Sequence, residues 1–133
     1  MRLTRLIAVD DAGTVVNPLI VDGQVHGGIT QGIATALYEE GVYDDDGNLL
    51  NTTMATYLVP SAAELPSYEL ERTESASPTN PLGVKGVGET GTIAAAPAVI
   101  NAVIDAVSHL GVTDVQMPAT PERVWRAIQE ARQ

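Results

Sequence analysis

The stretch Gly83–Val107, GVKGVGETGTIAAAPAVINAVIDAV, sets a glycine-studded loop ahead of a long apolar run. Its centre, Gly86-Val87-Gly88-Glu89-Thr90-Gly91, has the letters of the G-x-G-x-x-G pattern that opens a doubly wound α/β sheet. It also carries one carboxylate, Glu89, where that pattern needs only room. The fold turns on which reading holds. Either the loop cradles a phosphate or it presents a base.

The phosphate reading requires a hydrophobic strand, a tight glycine turn, and a helix whose N-terminus meets the pyrophosphate. A helix is predicted after Gly91, but the strand is missing. Thr79–Lys85, TNPLGVK, contains a proline and a glycine and does not suit a central parallel strand. The pattern also sits late in the chain, leaving no length for a full doubly wound sheet. Asp105 falls about 20 residues on, as the fingerprint's ribose-binding acid does, but within the predicted helix rather than at a strand end. A nucleotide-binding module is the weaker alternative.

Working outward, Ser75–Thr92 reads as an 18-residue loop, a length at which loops are often functional. Ile93–Leu110 reads as a buried helix with Ile93, Pro97, Ile100, Ile104 and Val107 near one face, Pro97 in or near its first turn and Gly111 its stop. Upstream, Leu6–Val9 is a short buried strand. Asn17-Pro18 has the form of an N-cap with proline at the first helical position. From about Gly23 to Glu40 the residues Val25, Ile29, Ile33 and Leu37 recur every fourth position and mark a helix face. Gly23, Gly27, Gly28 and Gly32 weaken that helix by about 1 kcal/mol each relative to alanine. Close packing against another backbone, or against a ligand, is the expected compensation.

Val42-Tyr43 and Leu49-Leu50 flank a turn through Asp46-Gly47 and predict a hairpin. Thr52–Val59, Tyr68–Thr73 and Val112–Val115 have strand composition. Ser61–Glu64 has capping-box spacing, but Pro66 limits it to a turn. Thr120-Pro121-Glu122 opens a last helix with threonine as N-cap. Strands and helices in mixed order, with no repeat and no linker, predict an α/β or α+β fold, with α+β the one we expect. We expect residues 1–133 to form a single domain, a mixed or mostly antiparallel sheet with helices packed on it.

Composition narrows the function classes. With 133 residues and 44% hydrophobic content the chain can bury a core, built from Ala, Val, Ile and Leu because Phe is absent. Seventeen acidic against seven basic side chains give a formal charge of −10, which disfavours nucleic acid and anionic membranes. With no cysteine, the chain has no disulfide and no thiolate for an iron–sulfur cluster. No apolar stretch approaches the roughly 20 residues of a membrane span and no secretion signal is visible, so the expectation is a cytoplasmic protein without membrane insertion. His26 and His109 lack acidic partners at ligand spacing, and Asp44–Asp46 lacks the calcium-loop pattern, so no metal ligands are assigned.

A glutamate between glycines at a helix entrance can lie against a ligand with little obstruction and serve as a general base. It can equally be an anion placed at a positive helix N-terminus with no further role. The residues alone leave both open.

Four segments in order bring a resemblance: VDDAGTVVNP (Val9–Pro18), DGQVHGGITQG (Asp22–Gly32), KGVGE (Lys85–Glu89) and PATPERVW (Pro118–Trp125). Together they resemble the C-terminal part of the molybdenum hydroxylases, the family of xanthine dehydrogenases, aldehyde oxidases and aerobic carbon monoxide dehydrogenase large subunits. The likeness spans nearly the whole chain. It is nearest to the carbon monoxide dehydrogenase branch, where cysteine usually stands in place of Ala12.

The resemblance implies that this chain is part of the family's second molybdopterin-binding domain. It assigns Glu89 as the active-site base and Gln24 as a contact to a molybdenum–molybdopterin cofactor. Gly23, Gly27 and Gly88 would then allow the backbone close to that cofactor, and Gln31 is a weaker candidate contact for which a packing or capping role is equally expected. It further implies a cofactor shared with an upstream domain or a larger partner chain, with FAD and iron–sulfur clusters on other domains or subunits. Family catalytic subunits are several times longer, so the chain is expected to be a piece of a split enzyme, a truncated product or an excised domain, inactive alone. The competing expectation is a noncatalytic orphan domain or structural subunit that keeps the family loop without the cofactor.

Overall fold

The computed structural model describes residues 1–133 and orders the elements as β1 (Leu6–Asp11), α1 (Pro18–Leu37), β2 (Tyr68–Thr73), α2 (Thr90–Ser108) and α3 (Pro121–Glu130). This is an α+β chain. Its one sheet is a parallel pair in which Leu6 stands opposite Tyr68 and Asp11 opposite Thr73. Antiparallel pairing is confined to two isolated bridges, Gly13 with Val84 and Tyr43 with Leu49.

The chain divides into two compact units, one made of residues 1–32 and 62–95, the other of 33–61 and 96–133. The division falls inside α1, between Gly32 and Ile33, and inside α2, between Ala95 and Ala96.

In the first unit, α1 begins where its capping chemistry says it should. Asn17 Oδ1 accepts from the Ile20 N–H at 3.3 Å, and Pro18 occupies the first helical position. That start lies five residues ahead of the Gly23 boundary expected from periodicity. The fourfold apolar repeat does mark the buried face, with Val25 and Ile29 in this unit exposed by only 3% and 1%. Glycine also resolves as expected for one pair. A β-carbon on Gly91 would stand 2.5 Å from Val25 O and 2.9 Å from Ile29 N, and one on Gly28 would stand 3.0 Å from Thr92 N. The two backbones pass so closely that neither glycine leaves room for a side chain. Thr92 Oγ1 ties the crossing by donating to Gly28 O at 3.0 Å.

Helix α2 starts at Thr90, three residues before the expected Ile93, because the Glu89 carbonyl already accepts from the Thr92 and Ile93 N–H groups. Pro97 therefore sits inside the helix rather than in its first turn, where its missing N–H removes one helical hydrogen bond. The membrane-span expectation also needs correction. Thr90–Ser108 is long and apolar enough to cross a bilayer by length and composition, and only 22% of that stretch is buried.

The second unit keeps Ile33, Ala34, Ala36 and Leu37 of α1 in its core, with Val99 and Val103 of α2 and Val112, Val115 and Ala119. Helix α3 is capped as expected, Thr120 Oγ1 accepting from Arg123 N at 3.3 Å, with Pro121 and Glu122 in the first turn. Gly111 adopts φ +89° just beyond α2 and supplies its stop.

Two expected strands are absent from this unit. Thr52–Val59 forms turns, because Thr53 and Thr56 bond to one another through side chain and backbone and draw Tyr57 N onto Thr53 O at 2.8 Å. Val112–Val115 has no strand partner, although both valines are 4% exposed and serve the core. The Val42–Leu50 hairpin shrinks to its turn, with the single bridge between Tyr43 and Leu49.

Candidate functional site

The predicted site residues all lie in the first unit. Gly23, Gln24 and Gly27 follow one another along the exposed side of α1, while Val21 and Val25 turn the opposite face inward. Gly88 and Glu89 end the loop that feeds α2, and both are exposed. A β-carbon on Gly88 would come within 4.0 Å of Gln24 Nε2, so the loop and α1 bring these two predicted residues together.

Space distinguishes the glycines. A β-carbon on Gly23, Gly27 or Gly86 would meet nothing within 4 Å, in contrast to Gly28 and Gly91. The open glycines thus keep their surface flat, where a ligand or another chain can come against backbone. The side chains of Gln24 and Glu89 make no hydrogen bond and no ion pair within the chain. Gln24 offers an amide donor and an acceptor, and Glu89 two carboxylate oxygens. Beside them Thr90 Oγ1 is buried without a hydrogen-bond partner, the single such side-chain atom in the chain. Open polar groups thus lie beside bare backbone.

Clefts also indent this unit. One of about 380 Å³ is lined by His26, Thr30, Leu65, Pro66 and Tyr68, and includes neither Gln24 nor Glu89. His26 forms its wall, with its ring 5.7 Å from that of Tyr68 and its Nδ1 2.8 Å from Asp22 O. Since a carbonyl only accepts, Nδ1 carries the proton there. Gln31 is exposed on α1.

A second group of residues escaped the sequence reading. Asp11, at the end of β1, receives Lys85 Nζ at 2.8 Å, the Gly13 N–H at 2.8 Å, the Ser75 N–H at 3.1 Å and the Ser75 hydroxyl. The Lys85 ammonium, then the Ser75 hydroxyl, then the backbone N–H groups hold the Asp11 carboxyl well below the usual carboxylate range. Lys85 was visible as the first letter of KGVGE, but its partner stands 74 positions away in sequence. The Gly13–Val84 bridge and the Lys85 N–H bond to Ala12 O make them neighbours.

Against known proteins, a family model described as a molybdopterin cofactor-binding domain matches residues 1–66. The chain is 43% identical over 129 residues to the carbon monoxide dehydrogenase large chain of Hydrogenophaga pseudoflava, covering 97% of this chain and 16% of that protein. It is 42% identical over 127 residues to the nicotine 6-hydroxylase large subunit of Paenarthrobacter nicotinovorans, covering 96% of this chain and 16% of that protein. Among solved structures, quinoline 2-oxidoreductase from Pseudomonas putida 86 superposes with a TM-score of 0.93 at 47% identity, over 97% of this chain and 16% of the other. The chain therefore spans about one sixth of the length of these relatives, and the alignment reaches the loop and α2 as well as the region of the family model.

Proposed function

Since the chain belongs to the molybdopterin-binding molybdenum hydroxylase family, we propose that it supplies the base and part of the cofactor cradle of a molybdenum-dependent hydroxylase. The observation that carries this reading is the pairing of open glycines with unengaged polar groups. Gly23, Gly27 and Gly86 have free space where a side chain would stand, and Gln24 and Glu89 have no partner in the chain. Such a surface fits a large planar cofactor that needs backbone contact and a few directed hydrogen bonds.

In this reading Gln24 holds the cofactor with its amide, and Gly23, Gly27 and Gly88 keep the approach clear. When bound, the molybdenum cofactor supplies the two-electron oxidation of the substrate, chemistry that no side chain of this protein performs. Glu89 takes up the proton that the hydroxylation releases, at a carboxylate oxygen. Its backbone is fixed by α2, since its carbonyl starts the helix. The rest of the cradle and the substrate-selecting groups come from an upstream domain or a larger partner chain, with redox subunits to take the electrons. We take residues 1–133 as one functional piece of that assembly.

The same reading accounts for the apolar surface of α2. Ile93, at its start, is 71% exposed, and in the first unit Leu19 and Ile20 of α1 are exposed as well. Large apolar side chains left open to solvent fit a contact face, and the rest of a family-sized protein is the cover this reading supplies.

Replacing Glu89 with Gln in the assembled enzyme keeps the shape and removes the base. We expect turnover to fall by about 10²-fold or more with molybdenum content unchanged. Turnover close to that of the unmodified enzyme rejects Glu89 as the base. Molybdenum lost along with turnover makes Glu89 a cofactor-holding residue instead.

A further inference from the structure

Resting on that reading of Glu89, we propose that Asp11 and Ser75 are positioning residues, which act through Lys85 to fix the start of the loop that presents the base. The loop is anchored at both ends and bare in between. On one side Lys85 N–H donates to Ala12 O at 3.0 Å and Thr14 N–H to Gly83 O at 3.0 Å, so that the segment before Gly86 runs along the end of β1. Asn80 locks the same segment from within, donating to Val84 O at 3.0 Å and accepting from Val84 N at 3.1 Å. On the other side the Gly28–Gly91 crossing holds the first turn of α2 against α1. Between the anchors Gly86, Val87 and Gly88 make no hydrogen bond within the chain. Three bare residues, two of them glycine, do not hold a direction by themselves. The place of Glu89 is set by what grips each end.

The grip at Lys85 is a network rather than a lone surface pair. Ser75 Oγ accepts from Lys85 Nζ at 2.6 Å and donates to Asp11, while Asp11 also collects the N–H groups of Gly13 and Ser75. The two charged side chains are 36% and 30% exposed, about two-thirds withdrawn from screening water. A lysine leading into a glycine loop has the form of an anion-binding group. Here its ammonium is engaged by Asp11 and Ser75 of its own chain, and so it serves the loop.

The test is amide exchange in the assembled protein, read at Thr14 and at residue 85, whose N–H groups depend on the grip. Asp11→Asn should raise exchange there about threefold to tenfold, the range of a part-exposed charged network, while Lys85→Arg, which keeps the charge, should stay near the parent. Should Asp11→Asn fail to assemble, Ser75→Ala removes two of the bonds and gives the same readout. In turnover assays Asp11→Asn should lower kcat at unchanged KM and unchanged molybdenum content, with Lys85→Arg retaining most of it. A merely structural role would move stability or metal content and leave that split unmade. Unchanged exchange in Asp11→Asn and Ser75→Ala overturns the clamp. Raised exchange with unchanged kcat overturns its positioning role. Should Glu89→Gln itself retain turnover, the base reading fails, and the exchange result still shows separately whether the clamp exists.

Discussion

Two sets of glycines on the same few turns of this chain do opposite things. Gly28 and Gly91 are filled in: each places a neighbouring backbone where its own β-carbon would be. Gly23, Gly27 and Gly86 are bare, with nothing within 4 Å of that position. In sequence the α1 members of the two sets, Gly23, Gly27 and Gly28, are indistinguishable, since each costs the helix about the same in propensity. What separates them is occupancy. The first set is explained within the chain by close packing. The second is explained only by something outside it, and it is the second that lies beside the unpaired side chains of Gln24 and Glu89.

Gly91→Ala tests the filled set and should have the largest effect. Its methyl would press on Val25 O and Ile29 N, both backbone atoms of α1 with no flexible end to yield. We expect a loss of about 1–3 kcal/mol or more in urea denaturation, as for overpacked cores. Gly28→Ala, facing contacts of 3.0 and 3.1 Å, should lose less than Gly91→Ala. An unchanged midpoint for Gly91→Ala would show that the crossing opens freely, which removes one of the two anchors of the Glu89 loop.

How far this was legible in the sequence follows the same division. Local chemistry could be read: Asn17-Pro18 and Thr120-Pro121 open helices, Gly111 ends one, and the four-residue spacing of Val25, Ile29, Ile33 and Leu37 marks a buried face. Those signals act within a turn or two of the backbone. The glycine helix could also be recognised as needing an explanation, but which glycine touched backbone and which faced open space depends on contacts about 64 positions away. The Thr52–Val59 and Val112–Val115 strands failed for the complementary reason. Strand composition reports a pleated, half-buried surface only when a partner strand exists, and neither segment has one. Within the site, the resemblance to a family supplied Gln24 and Glu89, whereas Asp11, at 74 positions from Lys85, gave no local sign at all.

The bare set should respond with the opposite sign. Gly23→Ala and Gly27→Ala meet no neighbour and should each stabilise the chain by roughly 0.5–1 kcal/mol, through helix propensity and a less flexible unfolded state. In the assembled enzyme the same changes should reduce molybdenum retention, because each methyl occupies space that the cofactor reading requires to be empty. A gain in stability with full metal content would leave these glycines unexplained by a cofactor. A loss of stability would mean that the space is filled within the chain after all.

The smallest effect belongs to the other anchor, and pH separates it from the glycine crossing. Asp11 titrates lower in the folded chain than the roughly 3.9 of an unfolded aspartate, because Lys85 and Ser75 favour its charged form. For a depressed carboxylate the stabilisation is present above the unfolded value and is lost as pH falls from about 4 through the lower folded value. Asp11→Asn should therefore melt lower at neutral pH and show a shallower decline in stability below about pH 4. The effect is modest because both side chains of the pair are about a third exposed. Protection of the Lys85 and Thr14 amides, taken relative to intrinsic exchange at the same pH, should fall as the parent is acidified, while Thr92, whose N–H bonds to Glu89 O at the α2 anchor, should hold its protection. If both ends loosen together, the loop is held as one cooperative unit and the distinction between its anchors fails. If only the Lys85 end loosens, Glu89 is positioned by two independent grips, one electrostatic and one steric, on either side of three bare residues.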